Sequence, residues 1–338
     1  MPFGINPFCL KREIEWRNIM KLSVVVPVYN GQVSIVKCLE SIANQTYKDM
    51  EVIVVNDGST DNTKTLVEEF CEEHTNRMFR VINQVNMGNS LARKSGIDVA
   101  QGEFVGFVDA DDWIESEYFE SLIKMAIEAN ADMVCSEITK DIGKKQKIHS
   151  HITDKKVLNG TEAIELLHQR KAVYQYMANK VIKKDILEKV IFPKKRMIGE
   201  DYTVVVQVLC LSNTIALSKE KGYHYVILEE SLSHKGYSES FQNSLQIYPK
   251  IEMYLSKQFP NSNIDISNFM LQNYMGAFMA MCKNKNFDQQ SIVWIQKYVR
   301  SHWNDFICKA PFALHWKIGV TLFAINTNIF KILVCIFR

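Results

Sequence analysis

The chain has 338 residues, 47% apolar and 23% charged, which excludes a disordered tail and a small disulfide-stapled scaffold and allows a large core. A net charge of +2 is too balanced for a nucleic-acid binder, so no nucleic-acid partner is expected. The eight cysteines are scattered and never form C-x-x-C, which argues against a zinc site or disulfide framework and fits reduced thiols in a cytoplasm.

Residues 1–20 contain Lys11, Arg12, Glu13, Glu15 and Arg17 and no small-residue cleavage site. They read as an N-terminal extension rather than a signal peptide, with Met20 a candidate start. Leu22–Val28 (LSVVVPV) is apolar and β-branched, as in a parallel strand buried on both faces. Val33, Val36, Leu39 and Ile42 then recur at helical spacing, and Glu51–Val55 is a second buried strand. A helix through Leu66, Val67 and Phe70 follows. Next come a strand at Phe79–Ile82, a helix at Asn89–Ala100, a strand at Phe104–Val108, a helix from Ile114 to Ala129 and a strand at Asp132–Ser136. This alternation predicts an α/β fold with a mainly parallel sheet and helices on both faces.

From Lys140 to Lys156 the composition is that of an exposed loop or hairpin. Helices at Thr161–Gln169 and Asp201–Leu211 then mix with strands at Thr214–Leu217 and Gly222–Ile227, and beyond Ser238 the pattern is helical. The expected organisation is a catalytic domain over 21–238, with halves 21–138 and 139–238, followed by a helical region over 239–338. Its tail, 306–338, holds Lys309, Lys317, Lys331 and Arg338 and no acid. The longest uncharged run there, Ile318–Phe330, is too short for the ~20 residues of a spanning helix. An amphipathic basic tail lying on an anionic membrane surface is expected, with packing of the tail on its own domain as the alternative.

In a parallel sheet ligands bind beyond the carboxyl ends of the strands, and polar clusters stand there. They are Pro27-Val28-Tyr29-Asn30-Gly31, Asn56-Asp57-Gly58-Ser59-Thr60-Asp61 and Asp109-Ala110-Asp111-Asp112-Trp113. Asp109 and Asp111, two apart after a strand, suit a hard divalent cation, Mn²⁺ or Mg²⁺, whose shell phosphate oxygens and water would complete. Asp112 fits either that set or a helix N-cap. Asp57 could accept from a nucleobase edge or close an Asx-turn. Glu200-Asp201, after Gly199, could cap a helix or supply a general base.

The runs SVVVPVYNG, CLESIANQTYKDMEVIVVNDGSTDNT and NMGNSLARKSGIDVAQGEFVGFVDADDW, in this order and spacing over about Lys21–Ile127, resemble the family-2 inverting glycosyltransferases of GT-A fold. The resemblance implies that Pro27, Tyr29, Asn30 and Asp57 line the nucleoside pocket and that Gly88 and Arg93 lie near the donor. Asp109-x-Asp111 would be the D-x-D motif, with Asp111 the direct metal contact. Asn179-Lys180 followed by Gly199-Glu200-Asp201 is similar to the family's distal elements, which makes Asp201 the base and Glu200 an acceptor-binding neighbour. Lys94 departs from the family's usual Asn, and no role is assigned to His224 or His234.

The implied activity is inverting transfer of a sugar from a nucleotide-diphosphate donor, most often a UDP-sugar, to a growing lipid-linked glycan. It would take place at the inner face of the cytoplasmic membrane. A homodimer is admitted. The alternatives are a silent carbohydrate- or membrane-binding partner and a nucleotidyltransferase of related fold. The latter lacks its Gly-rich basic loop, since Tyr29-Asn30-Gly31-Gln32 stands in that place.

Overall fold

The computed structural model describes residues 21–75, 78–143, 145–149, 152, 156–227, 238–262, 264–309 and 314–336. The expected extension 1–20 and His234 lie outside them. The chain divides into two compact units, Met1–Lys194 with Asp201–Leu228, and Lys195–Glu200 with Glu229–Arg338.

The first unit opens with β1 (Leu22–Val28), α1 (Ile35–Ala43), β2 (Met50–Asp57), α2 (Thr63–Glu73), β3 (Met78–Gln84), α3 (Asn89–Val99) and β4 (Phe104–Phe107). Next are β5 (Trp113–Ile114), α4 (Tyr118–Glu128), β6 (Met133–Cys135), β7 (Ile138–Ile142), β8 (Lys145–His149), β9 (Lys156–Leu158) and α5 (Gly160–His168). It closes with β10 (Lys180–Lys183), α6 (Lys184–Leu187), α7 (Glu200–Leu211, whose first residue falls in the other unit), β11 (Ile215–Leu217) and β12 (Tyr223–Val226).

Every residue of β1 is buried, as its nearly all-apolar sequence predicts. Leu22, Val24, Val26 and Val28 share one core with Ile35, Leu39 and Ile42 of α1, Val67 and Phe70 of α2, and Phe119, Leu122 and Ile123 of α4. On the other face Val25 meets α3, where a Cβ on Gly96 would stand 2.5 Å from its methyl carbon. Helices therefore cover both faces. The buried stripe of α1 is Ile35, Cys38, Leu39 and Ile42, whereas Val33, expected on that stripe, precedes the helix and is 95% exposed.

The main sheet has the order β3-β2-β1-β4-β10-β6-β11-β9. Strands β3, β2, β1 and β4 are parallel neighbours, but β10 runs against β4 and β6, and β9 against β11, so the sheet is mixed. Return of the chain to the end of β6 that it left dictates this. Lys180 pairs with Cys135, and the Ser136 amide donates to the Asn179 carbonyl at 3.0 Å. Asn179 makes the turn in the left-handed region, φ 62°, which Asn tolerates better than most residues.

A second sheet has the order β5-β12-β7-β8. Its β7–β8 pair is the hairpin expected near Lys140. The helix predicted from Ile114 instead starts at Tyr118, because Trp113 and Ile114 are drawn into pairing with His224 and Tyr223.

The second unit holds α8 (Glu239–Leu245), α9 (Tyr248–Gln258), α10 (Ser267–Asn284), α11 (Gln289–Ser301), a π-turn (Asp305–Lys309), α12 (Leu314–Ile325) and α13 (Thr327–Ile336). Phe269, Tyr274, Phe278 and Met281 of α10 are buried at helical spacing, as expected of a core helix. The Tyr274 ring meets the rings of Tyr248, Trp294 and Tyr298, and Phe278 meets Phe323 and Phe330 of the last two helices. Part of the tail thus packs on its own unit, while Leu314, Ile318, Ile325 and Ile329 remain exposed. Among the described residues no helix is long and apolar enough to cross a membrane.

Candidate active site

The loops after β1, β2, β3 and β4 meet at the carboxyl ends of those strands. The first two are tied together by side chains acting on backbone. The Thr60 amide donates to the Asn30 side-chain oxygen at 2.8 Å, the Asn30 amide to Ser59 Oγ at 3.0 Å and the Gly31 amide to Thr63 Oγ1 at 2.8 Å. Asn30 sits at φ 52°, a conformation its short polar side chain tolerates. Pro27 is buried near the end of β1, and Tyr29 is half exposed beside it.

Asp57, at the end of β2, is buried, and its carboxylate reaches another loop. One carboxylate oxygen accepts from Gln84 Nε2 at 2.7 Å and from the Met87 amide at 2.9 Å, and the other from the Gly88 amide at 2.7 Å. It closes no Asx-turn within its own loop but holds the β3–α3 loop against β2. Gly58 permits that approach: its φ is 72°, and a Cβ there would lie 2.7 Å from the Asn86 nitrogen. Gly88, at φ 93°, precedes α3.

Arg93, on α3, is only 1% exposed. Its Nη2 donates to Asp109 Oδ1 at 2.6 Å and its Nη1 to Asp201 Oδ1 at 2.5 Å. One guanidinium thus joins the turn after β4 to the start of α7, whose Asp201 lies 108 residues beyond the arginine itself. The second Asp201 oxygen accepts the Met177 amide at 2.8 Å. Burial raises the Asp201 carboxyl above the usual carboxylate range, with Arg93 opposing and Asp109 reinforcing that shift. Lys94 instead pairs with Asp98 on the solvent side of α3.

The three acids after β4 have different fates. Asp109 is held by Arg93. Asp111 accepts no hydrogen bond from another described residue. The protein mass that displaces water around its carboxyl, together with the Asp109 charge, pushes it up to about 6. Asp112 is buried and caps no helix. It accepts the Tyr223 hydroxyl at 2.6 Å and the Val226 amide at 2.9 Å, and so fastens β12 to this turn. The Tyr223 oxygen in turn accepts the Asp109 amide at 3.2 Å. Replacing Tyr223 with Phe is expected to lower stability by about 1–3 kcal/mol, the usual cost of a buried acceptor losing its donor. A shift of the denaturant midpoint checks this.

His224 stacks on Trp113 with ring centroids 3.6 Å apart, and its two ring nitrogens lie 3.2 Å from Asp141 and Glu115. Glu200 opens the helix that carries Asp201 but falls in the second unit. Among the described residues no group of three or more His, Cys, Asp or Glu side chains is arranged to hold a metal ion. The backbone amide of Met177 and the hydroxyl of Tyr223 were not singled out from sequence. Tyr223 stands within the strand expected at Gly222–Ile227, whereas a backbone donor leaves no sequence signal.

Residues 23–191, half of the chain, match the family described as Glycosyl transferase family 2. The chain is 33% identical over 233 residues to Glycosyltransferase GlyA of Streptococcus pneumoniae serotype 4, a match covering 67% of this chain and 33% of that protein. It is 30% identical over 213 residues to the Poly(ribitol-phosphate) beta-glucosyltransferase of Bacillus spizizenii, covering 62% of this chain and 32% of that one. These matches span about a third of the length of either relative. A crystal structure of S. aureus TarS 1–349 in complex with UDP-GlcNAc shares the fold, with a TM-score of 0.61 and 19% identity over 84% of this chain and 81% of that one. The GT-A fold expected from the sequence is thereby borne out.

Proposed function

The chain belongs to glycosyl transferase family 2, and we propose that it moves a sugar, with inversion, from a UDP-sugar to a hydroxyl of a growing lipid-linked glycan in cell-surface polysaccharide synthesis. The observation that carries this reading is the bridge of Arg93 between Asp109 and Asp201. It gathers the D-x-D turn and the distal Asp into one place, where donor and acceptor chemistry have to meet.

Asp201 is the general base that takes the proton of the attacking hydroxyl. A carboxyl raised by burial binds that proton better than a solvated one. Glu200, its neighbour in sequence, contacts the acceptor. Pro27, Tyr29, Asn30 and Asp57 line the nucleoside end, with Gly88 and Arg93 beside the diphosphate. Asp109 and Asp111 are the residues that would hold a divalent cation. Their fit rests on the carboxylate oxygens of Asp111 and the second oxygen of Asp109, which accept from no other described residue, and oxygen donors suit Mn²⁺ or Mg²⁺. When bound, such an ion would offset the negative charge of the departing diphosphate.

The exposed Leu314, Ile318, Ile325 and Ile329, in a tail without acids, support peripheral contact with the inner face of the cytoplasmic membrane. A reading as a silent binding partner gains no support from an arginine held between two acids that such a partner would not need.

Incubation with a panel of nucleotide sugars and Mn²⁺, followed by measurement of released nucleotide, tests the proposal. One UDP-sugar is expected to be consumed, with the rate falling at least ~10²-fold on chelation of the metal. Consumption of no donor in the panel would count against the activity, and a rate indifferent to chelation against the roles of Asp109 and Asp111.

A further inference from the structure

Lys180 is a buried lysine that the proposed chemistry does not use. It is 1% exposed, and lysine is almost never buried to this degree without partners. Its Nζ donates to the Tyr176 carbonyl at 2.6 Å and to Asn179 Oδ1 at 2.8 Å. Asn179 is itself fixed: its Nδ2 donates to the Ser136 carbonyl at 2.5 Å, and its left-handed backbone turns the side chain back toward β6.

The Tyr176 carbonyl and the Met177 amide belong to the same trans peptide plane, where C=O and N–H point in opposite directions. The carbonyl side of that plane takes the Lys180 ammonium. The amide side donates to Asp201 Oδ2 at 2.8 Å. A cation on the oxygen of a peptide polarises the whole group, so its N–H becomes a stronger donor, and hydrogen bonds in such a chain reinforce one another. The plane cannot turn without breaking both bonds.

We infer that Lys180 is a positioning residue for the base: through the Tyr176–Met177 peptide it orients Asp201 and stabilises its carboxylate form, while Arg93 holds the other carboxylate oxygen. This rests on the reading of Asp201 as the base. The titratable groups whose charges act on Lys180 are Cys135 of β6 and Asp201 of α7, and both favour the ammonium. Burial outweighs them and lowers Lys180 to about 8. The link therefore weakens as pH rises through that value.

The test uses the full chain labelled with ¹⁵N-methionine, the Met177 cross-peak being identified by its loss in Met177→Leu. The Met177 amide proton is expected to move upfield as pH is raised through about 8, and to be displaced in the same direction below that pH in Lys180→Met, the two proteins converging above it. In transfer assays Lys180→Met is expected to lower kcat by roughly 10²-fold, the scale of a misplaced catalytic group, with the KM for donor little changed. Loss of the cation raises the Asp201 carboxyl, so the acid limb of the kcat profile shifts to higher pH.

A Met177 amide that responds neither to the titration nor to the substitution would overturn the inference. So would a Lys180→Met protein with the wild-type rate and pH profile. Should Lys180→Met fail to fold, the titration of the unmodified chain still decides. If Asp201→Asn is inactive while Lys180→Met is unimpaired, this inference alone fails. If Asp201→Asn transfers at the wild-type rate, the base assignment fails with it.

Discussion

Replacing Arg93 with Met is expected to abolish measurable transfer, a loss of at least ~10³-fold, and to lower stability by about 3–5 kcal/mol. The substitution keeps an unbranched stem but is shorter, and it removes the guanidinium with its charge and donors. Asp109 and Asp201 would then face each other across the space the guanidinium now fills, with side chains only 26% and 14% exposed. Like charges in such a place resist joint ionisation, so Asp201, already raised by burial, would be driven further toward its neutral acid. A protonated carboxyl cannot accept the hydroxyl proton, and the loss of rate follows directly.

Arg93→Lys is expected to recover little. A single ammonium is a point charge and does not reproduce two directed donors on separate nitrogens of a rigid plane. Denaturant unfolding of the two variants, set beside their transfer rates, checks both statements. Wild-type stability for Arg93→Met would mean that the two acids are not coupled through this residue.

What the sequence disclosed depended on how each residue is satisfied. Strands β1 and β2 were legible because burial on both faces leaves a largely apolar, β-branched run in each. The D-x-D turn was legible because three acids together are costly and stand out. By contrast, β10 is four residues that begin with a buried lysine, and no local pattern separates it from a loop. The start of α4 was misplaced because Trp113 and Ile114 answer to β12, more than a hundred residues away. Asp112 followed the same logic: its position looks like a cap, but its partners, Tyr223 and Val226, are remote in the chain. The candidate residues were proposed from motif resemblance, and the structure brings Arg93, Asp109 and Asp201 together. What joins the parts of the site, a guanidinium between two carboxylates and a peptide plane between a lysine and an aspartate, is made of contacts that only the folded chain creates.

Asp201→Asn carries the other large effect. The amide is nearly isosteric and can still accept from Arg93 Nη1 through its oxygen, so the fold around α7 and the D-x-D turn is expected to persist. The nitrogen that replaces Oδ2 would face the Met177 amide, donor against donor, at a modest cost in stability. What disappears is the basic oxygen. Removal of a positioned general base lowers turnover by roughly 10²–10⁴-fold. Donor binding, proposed for the loops after β1, β2, β3 and β4, has no reason to follow.

The decisive measurement is therefore made on one variant with two readouts: the turnover of Asp201→Asn with donor and acceptor, and its dissociation constant for the UDP-sugar. Turnover reduced by ~10²-fold or more with donor affinity within about twofold of the parent is the expected result. Transfer at the parental rate would contradict the placement of proton abstraction at Asp201, and with it the single shared site for donor and acceptor.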